Sequence, residues 1–335
     1  MTAIERKPLL QIMGLSTHFL SLGGKRVVKA VDRVSFEIHD GDRVALIGES
    51  GCGKSTVSLS ILQVLPPGAR IVEGKILFEG ENLLEKTPEE MTRIRGKKIA
   101  MILQDTMLSL DPVFTIGDQI RETLRAHTEL RGKALEQRVR ELILAVRIPE
   151  PARRMKQYPH EMSGGMRQRI VGAIALSCEP RLLIADEATT NLDVTIQLQY
   201  LDLLKDIQEK TGLTLLFITH NLGIVAELCE YVIVMYAGKV VERSPVTDLF
   251  DTPGHPYSKA LLQAAFGLGD VKKRAPITGE PPDLANLPPG CSFHPRCSFA
   301  DQRCGQEEPP EVALGQNRSV KCWYPVNGAN DISKG

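Results

Sequence analysis

The stretch that most constrains this chain is Gly48-Glu49-Ser50-Gly51-Cys52-Gly53-Lys54-Ser55-Thr56. It follows the apolar run Val44-Ala45-Leu46-Ile47 and precedes a helix-compatible segment, Thr56 to Leu65. Strand, glycine loop and helix in that order form the context in which backbone N–H groups wrap a di- or triphosphate. Gly48, Gly51 and Gly53 are free to take positive φ, so successive amides can turn inward. The helix that follows aims its partially positive end at the same anion. Lys54 adds a mobile cation for the β/γ end, and the Ser55 hydroxyl can ligate Mg²⁺. Taken alone, the same pattern also fits a glycine turn with a solvated lysine.

The whole chain narrows the setting. Its 335 residues suffice for one large domain and an appendage. Lysine and arginine balance aspartate and glutamate at 41 each, with no dense basic run, which argues against a nucleic-acid partner held by charge. No apolar stretch approaches a bilayer span, and Met1 to Leu20 lacks a signal-peptide core. The expectation is a soluble, cytoplasmic protein whose membrane role, if it has one, needs a partner chain.

Further along, short strands are expected over 9–47, with Leu9 to Met13 and Val34 to Ile38 as the clearest runs. Phe19 is a candidate to stack on a base, although an aromatic in a strand also serves a core. Gly74 to Glu79 and Lys98 to Leu103 read as strands, the latter ending at Gln104. From Ile116 to Ser177 the spacing turns helical, which predicts a separate helical lobe. Inside it, Ser163-Gly164-Gly165-Met166-Arg167-Gln168-Arg169 reads by itself as an ordinary capped helix start. Leu182 to Asp186 is a buried-type strand ending in Asp186 and Glu187, where open α/β sheets place their ligands. Asp186 suits Mg²⁺, and Glu187 suits orienting or deprotonating a water. A helix is expected over Thr195 to Lys210. A second buried strand, Thr214 to Thr219, ends at His220, a potential donor to a γ-phosphate.

With this ordered set the chain resembles an ATP-binding cassette (ABC) transporter ATPase subunit over about residues 9–260. The resemblance makes Gly48 to Thr56 the Walker A segment, Gln104 the Q-loop and Ser163-Gly164-Gly165 the signature. Walker B becomes Leu182 to Asp186, with Glu187 the catalytic glutamate, Asp193 in the D-loop and His220 the switch histidine. It implies an α/β P-loop (RecA-like) core with an antiparallel β-subdomain, a helical subdomain and a small cysteine-rich C-terminal lobe. The expected division is 1–250 for the ATPase, with the helical part at about 110–178, and 251–335 for the tail. ATP and Mg²⁺ are the implied cofactors, with Ser55, Gln104 and Asp186 around the metal. Ser163-Gly164-Gly165 would complete the site of a partner cassette in trans. Met162, Ala188 and Asn191 depart from the commoner residues of the family.

The tail narrows the resemblance to the D-type ATPase of oligopeptide/dipeptide importers, through Gly254-His255-Pro256-Tyr257 and Gly290-Cys291-Ser292-Phe293-His294-Pro295-Arg296-Cys297. Such importers pair two related ATPases, as a heterodimer or homodimer, with two permeases and an extracytoplasmic binding protein, at the cytoplasmic face of the cell membrane. Met107 to Phe114 would be the surface facing the permease. Peptides, nickel, glutathione and oligosaccharides are the substrate classes implied. A non-transport ABC protein acting on ribosomes or DNA is the alternative, but the paired cassettes or long coiled-coil inserts typical of those are missing. Cys291, Cys297, Cys304 and Cys322 lack the tight pairs of structural zinc sites. Their thiolates suit an iron–sulfur cluster. The resemblance points to [4Fe–4S], with zinc or metal-free thiols as alternatives. Cys52, inside the glycine loop, is expected to react with alkylating agents and to be protected by bound ATP.

Overall fold

A computed structural model describes residues 7–21, 26–104, 109–190, 192–266 and 276–326. The strands are β1 (Pro8–Ser21), β2 (Arg26–His39), β3 (Arg43–Ile47), β4 (Ala69–Phe78), β5 (Glu81–Asn82), β6 (Ile99–Ile102), β7 (Leu182–Asp186), β8 (Thr214–Thr219), β9 (Tyr231–Tyr236), β10 (Lys239–Pro245), β11 (Glu311–Gly315) and β12 (Arg318–Lys321). They group into two compact units. The first comprises 1–39, 43–84 and 218–335, the second 40–42 and 85–217. The C-terminal tail therefore belongs to the same unit as the glycine loop.

In the first unit, β1, β2, β4 and β5 form an antiparallel sheet in the order β2-β1-β4-β5. Leu9 to Met13 and Val34 to Ile38, expected as short strands, are parts of two strands of 14 residues each. Their continuity is hidden in the sequence by bulges. The β1–β2 register slips between Leu15↔Val34 and Thr17↔Val31. There Arg33 adopts φ 51°, a left-handed conformation that disposes of the extra residue. The unit's other strands run β11-β12-β10-β9-β3. β3 is parallel to β9, with Val44 to Ile47 facing Tyr231 to Val234, and four of its five residues are buried.

The second unit holds β6 and β7 side by side in parallel, with β8 beyond β7. All five residues of β7 are buried, as a strand covered on both faces requires. The same unit holds the helices Ile116–His127, Gly132–Ala145, Pro151–Arg154 and Gly164–Leu176. In the first of these, Ile116, Ile120 and Leu124 recur at helical spacing on the buried face, and Thr115 caps the start by accepting from the Asp118 N–H. Helix Val194–Thr211 covers the predicted Thr195 to Lys210. Among the described residues no helix is long and apolar enough to cross a membrane.

Candidate functional site

In the first unit, β3 delivers the chain into the glycine loop, and two of the loop's glycines are required by contact. Gly48 sits at φ 153°, and a Cβ there would stand 2.2 Å from the Met235 carbonyl oxygen. Gly53 sits at φ 103°, and a Cβ there would stand 2.1 Å from the Ala30 oxygen. No side chain fits either place, so the backbone passes where only glycine can. Helix Lys54–Ile61 starts at once, with Gly53 as its cap and no side chain covering the first amides. Lys54 is buried, and its Nζ donates to the Gly48 and Glu49 carbonyls at 2.8 and 2.9 Å. Ser55 and Thr56 occupy the first turn, half-buried. Cys52 is 5% exposed, and burial raises its thiol pKa. It is therefore a slow nucleophile, not the accessible one the sequence suggested. Phe19 lies half-buried on β1, opposite Val28 and Ala69.

His220 follows β8 with its side chain exposed. The backbone after it is pinned, because the Asn221 N–H donates to Thr219 Oγ1 and the Asn221 side chain caps helix Leu222–Leu228 through the Gly223 N–H.

In the second unit, Asp186 ends β7 almost fully buried, and Glu187 follows at φ 46°. Such a conformation in a non-glycine residue is strained and tends to mark functional turns. Gln104, just beyond β6, donates from Nε2 to Glu187 Oε2 at 2.8 Å, and Thr190 Oγ1 donates to the Glu187 carbonyl at 3.0 Å. The structure thus brings together Gln104 and Glu187, two residues 83 positions apart. Ser163 caps helix Gly164–Leu176 by accepting from the Met166 N–H at 3.3 Å. The adjacent glycines differ. A Cβ on Gly165 would meet Ile196 at 2.7 Å, whereas one on Gly164 meets nothing within 4 Å. Asp193 caps Val194–Thr211 by accepting from the Ile196 N–H. Asn191, Met107 and Leu108 lie outside the described residues. Of the remaining surface after Gln104, Leu110 is buried in the core, while Val113 and Phe114 are exposed.

Tyr257 and Arg296, which are not among the predicted site residues, also meet the glycine loop. The Tyr257 hydroxyl accepts the Glu49 N–H at 2.8 Å. Arg296 Nη1 and Nη2 donate to the two Glu49 carboxylate oxygens at 2.7 and 3.0 Å. The Gly254-His255-Pro256-Tyr257 stretch is held from behind by the fully buried Glu242, whose two oxygens accept the Gly254 and His255 N–H groups at 2.7 and 2.8 Å. His255 Nδ1 then accepts the Tyr257 N–H, and burial lowers its pKa to about 3, keeping the ring neutral as that bond demands. The only local sign of these two residues was their place inside the tail motifs.

Cys291, Cys297, Cys304 and Cys322 line one cavity of about 10 Å³, walled by Phe293 and Trp323. Burial raises the thiols, Cys297 to about 11 and Cys322 to about 12. The thiolate is the metal-binding form of cysteine, and four cysteines here line one apolar pocket. The room between them is that of about one water molecule. Among the described residues no three His, Cys, Asp or Glu side chains stand in a metal-holding group.

Comparison with known proteins agrees across the chain. Residues 31–190 match the ABC transporter family, and 241–304 match the oligopeptide/dipeptide transporter C-terminal region. The chain is 46% identical over 317 residues to the dipeptide transport ATP-binding protein DppD of Bacillus subtilis, covering 94% of each. It is 46% identical to the oligopeptide transport ATP-binding protein AppD of the same organism, covering 96% of this chain and 98% of that one. Among solved structures, the dimeric post-hydrolysis state of the ATP-binding cassette MJ0796 bound to ADP and Pi aligns with a TM-score of 0.63 at 25% identity, over 71% of this chain and 98% of that one.

Proposed function

Because the chain belongs to the ABC transporter family, in its oligopeptide/dipeptide branch, we propose that it hydrolyses ATP to drive uptake of di- or oligopeptides through a membrane permease. The observation that carries this reading is the glycine loop, whose Gly48 and Gly53 leave no room for a side chain and open directly onto a helix start.

Gly48 to Thr56 cradle the phosphates, with Lys54 on the β/γ end and Phe19 against the base. Ser55, Gln104 and Asp186 are the residues suited to hold Mg²⁺, which neutralises charge on the transferring phosphoryl group. Glu187 orients and deprotonates the attacking water, and its bond from Gln104 fixes one carboxylate oxygen. His220 donates to the γ-phosphate. Ser163, Gly164 and Gly165 serve the nucleotide of a second cassette, so ATP joins two ATPase subunits and hydrolysis releases them. Asp193 anchors the loop between them. The partners are a related ATPase, forming a heterodimer, two permease subunits and an extracytoplasmic solute-binding protein. The complex places this chain peripherally at the cytoplasmic face.

Cys291, Cys297, Cys304 and Cys322 are the residues that would hold a [4Fe–4S] cluster, with a structural role in fixing the tail. Their convergence on one apolar cavity supports this. An anaerobic preparation without iron or visible absorption overturns the assignment, and zinc in its place selects the other metal.

Function is tested by reconstituting the chain with its permease and binding protein in vesicles. Labelled di- and oligopeptides should enter only with ATP. Uptake of nickel, glutathione or oligosaccharides instead of peptides replaces the substrate and keeps the ATPase.

A further inference from the structure

Glu49, the second residue of the glycine loop, is held from the C-terminal tail at both its main chain and its side chain. Arg296 lies on the short turn His294–Arg296, between Cys291 and Cys297. Its side chain is 4% exposed, and its fork closes on both oxygens of Glu49. The guanidinium also sits over the rings of Tyr236 and Phe293, 5.8 and 5.9 Å from their centroids. Nε is spent on the Thr278 carbonyl at 3.0 Å, so the plane cannot turn without losing several partners. Tyr257, fully buried, packs its ring 4.6 Å from that of Tyr236 and takes the Glu49 N–H.

Two physical consequences follow. The Glu49 carboxylate is paired, so the loop does not present an uncompensated negative charge beside an incoming polyphosphate. The Glu49 carbonyl meanwhile accepts from Lys54 Nζ at 2.9 Å and, at the longer distance of 3.3 Å, from the Cys52 N–H. A lysine drawn to a phosphate gives up its bond, leaving Arg296, Tyr257 and the longer Cys52 N–H bond to keep Glu49 in place.

We infer that Arg296 and Tyr257 are positioning residues for the phosphate loop, and that the cysteine-lined lobe carrying Arg296 thereby sets nucleotide affinity. The inference rests on reading Gly48 to Thr56 as the ATP loop.

The test measures binding of a fluorescent ATP analogue to the full chain and the KM and kcat of ATP hydrolysis in the assembled transporter. Arg296→Ala should weaken binding and raise KM by about tenfold or more, with kcat within about twofold of wild type. Arg296→Lys should recover part of the loss, and Tyr257→Phe, which removes one oxygen, should shift KM in the same direction. In a Glu49→Gln background the Arg296→Ala change should cost much less, because the charge it neutralises is gone. Folding of the lobe is followed by emission of Trp323, which lines the cysteine cavity. Wild-type affinity in Arg296→Ala with unchanged emission overturns the inference. So does an equal penalty with and without the Glu49 charge, since the loss then comes from the lobe unfolding. Failure of the wild-type chain to bind the analogue overturns the ATP reading itself, a separate result.

Discussion

Gln104 donates a 2.8 Å hydrogen bond to Glu187, whose backbone is held in the left-handed region at φ 46°. The carboxylate is thus oriented twice, by its own strained turn and by a side chain from the end of a neighbouring strand. Replacing Glu187 by Gln keeps the shape and removes the base. Hydrolysis should slow by about a hundredfold or more while ATP binding persists, so an ATP-dependent dimer should accumulate on size-exclusion chromatography. Normal single-turnover rates in this variant remove Glu187 from the chemistry.

Lys54→Ala acts at the other end of the reaction. Its Nζ is the buried cation of the glycine loop, with two carbonyl partners. The expected outcome is loss of affinity by about tenfold or more, read directly by equilibrium binding.

Gly164→Ala separates folding from partner recognition. A methyl group there meets nothing within 4 Å, so the melting temperature should stay put. If this glycine faces the nucleotide of a second cassette, ATP turnover of the assembled transporter should fall. At Gly165 the same change pushes on Ile196 and should lower the melting temperature as well.

Cys52 should resist maleimide in the native protein at neutral pH. Burial raises its pKa, so the thiolate fraction is small, and the sulfur has little access to solvent. Mass spectrometry should find it modified after unfolding and only slowly before, with a rate that climbs as pH rises.

Glu242→Ala removes the acceptor of two backbone amides and leaves Arg318, 3.6 Å away, without its carboxylate. A buried charge left without its partner costs about 3 kcal/mol, measurable by urea denaturation. The damage should reach Tyr257 through His255 and loosen the nucleotide loop too.

Much of the site was legible because its groups lie next to the strands that present them. Val44 to Ile47, Leu182 to Asp186 and Thr214 to Thr219 are uninterrupted apolar runs, and the loop, the carboxylates and the histidine follow each directly. What escaped was long in range or short in length. Arg296 is 247 residues from Glu49, and no local pattern joins them. The β11–β12 hairpin is two brief strands, the first alternating between exposed and half-buried, turning at Asn317 with φ 55°. Its charges look like those of a solvated tail. Only pairing of Glu242 with Val320 and Arg243 with Ser319 gives those residues a place in the sheet.

That pairing also bears on how the chain behaves in solution. β12 occupies the open side of β10, and the short, partly charged β11 becomes the sheet's margin in its place. A polypeptide ending near residue 250 would bare the unpaired amides of β10, a strand with buried Val240 and Val241, as a template for another chain. The tail's hairpin is thus a guard against self-association, and tailless versions should cloud at concentrations where the full chain stays clear.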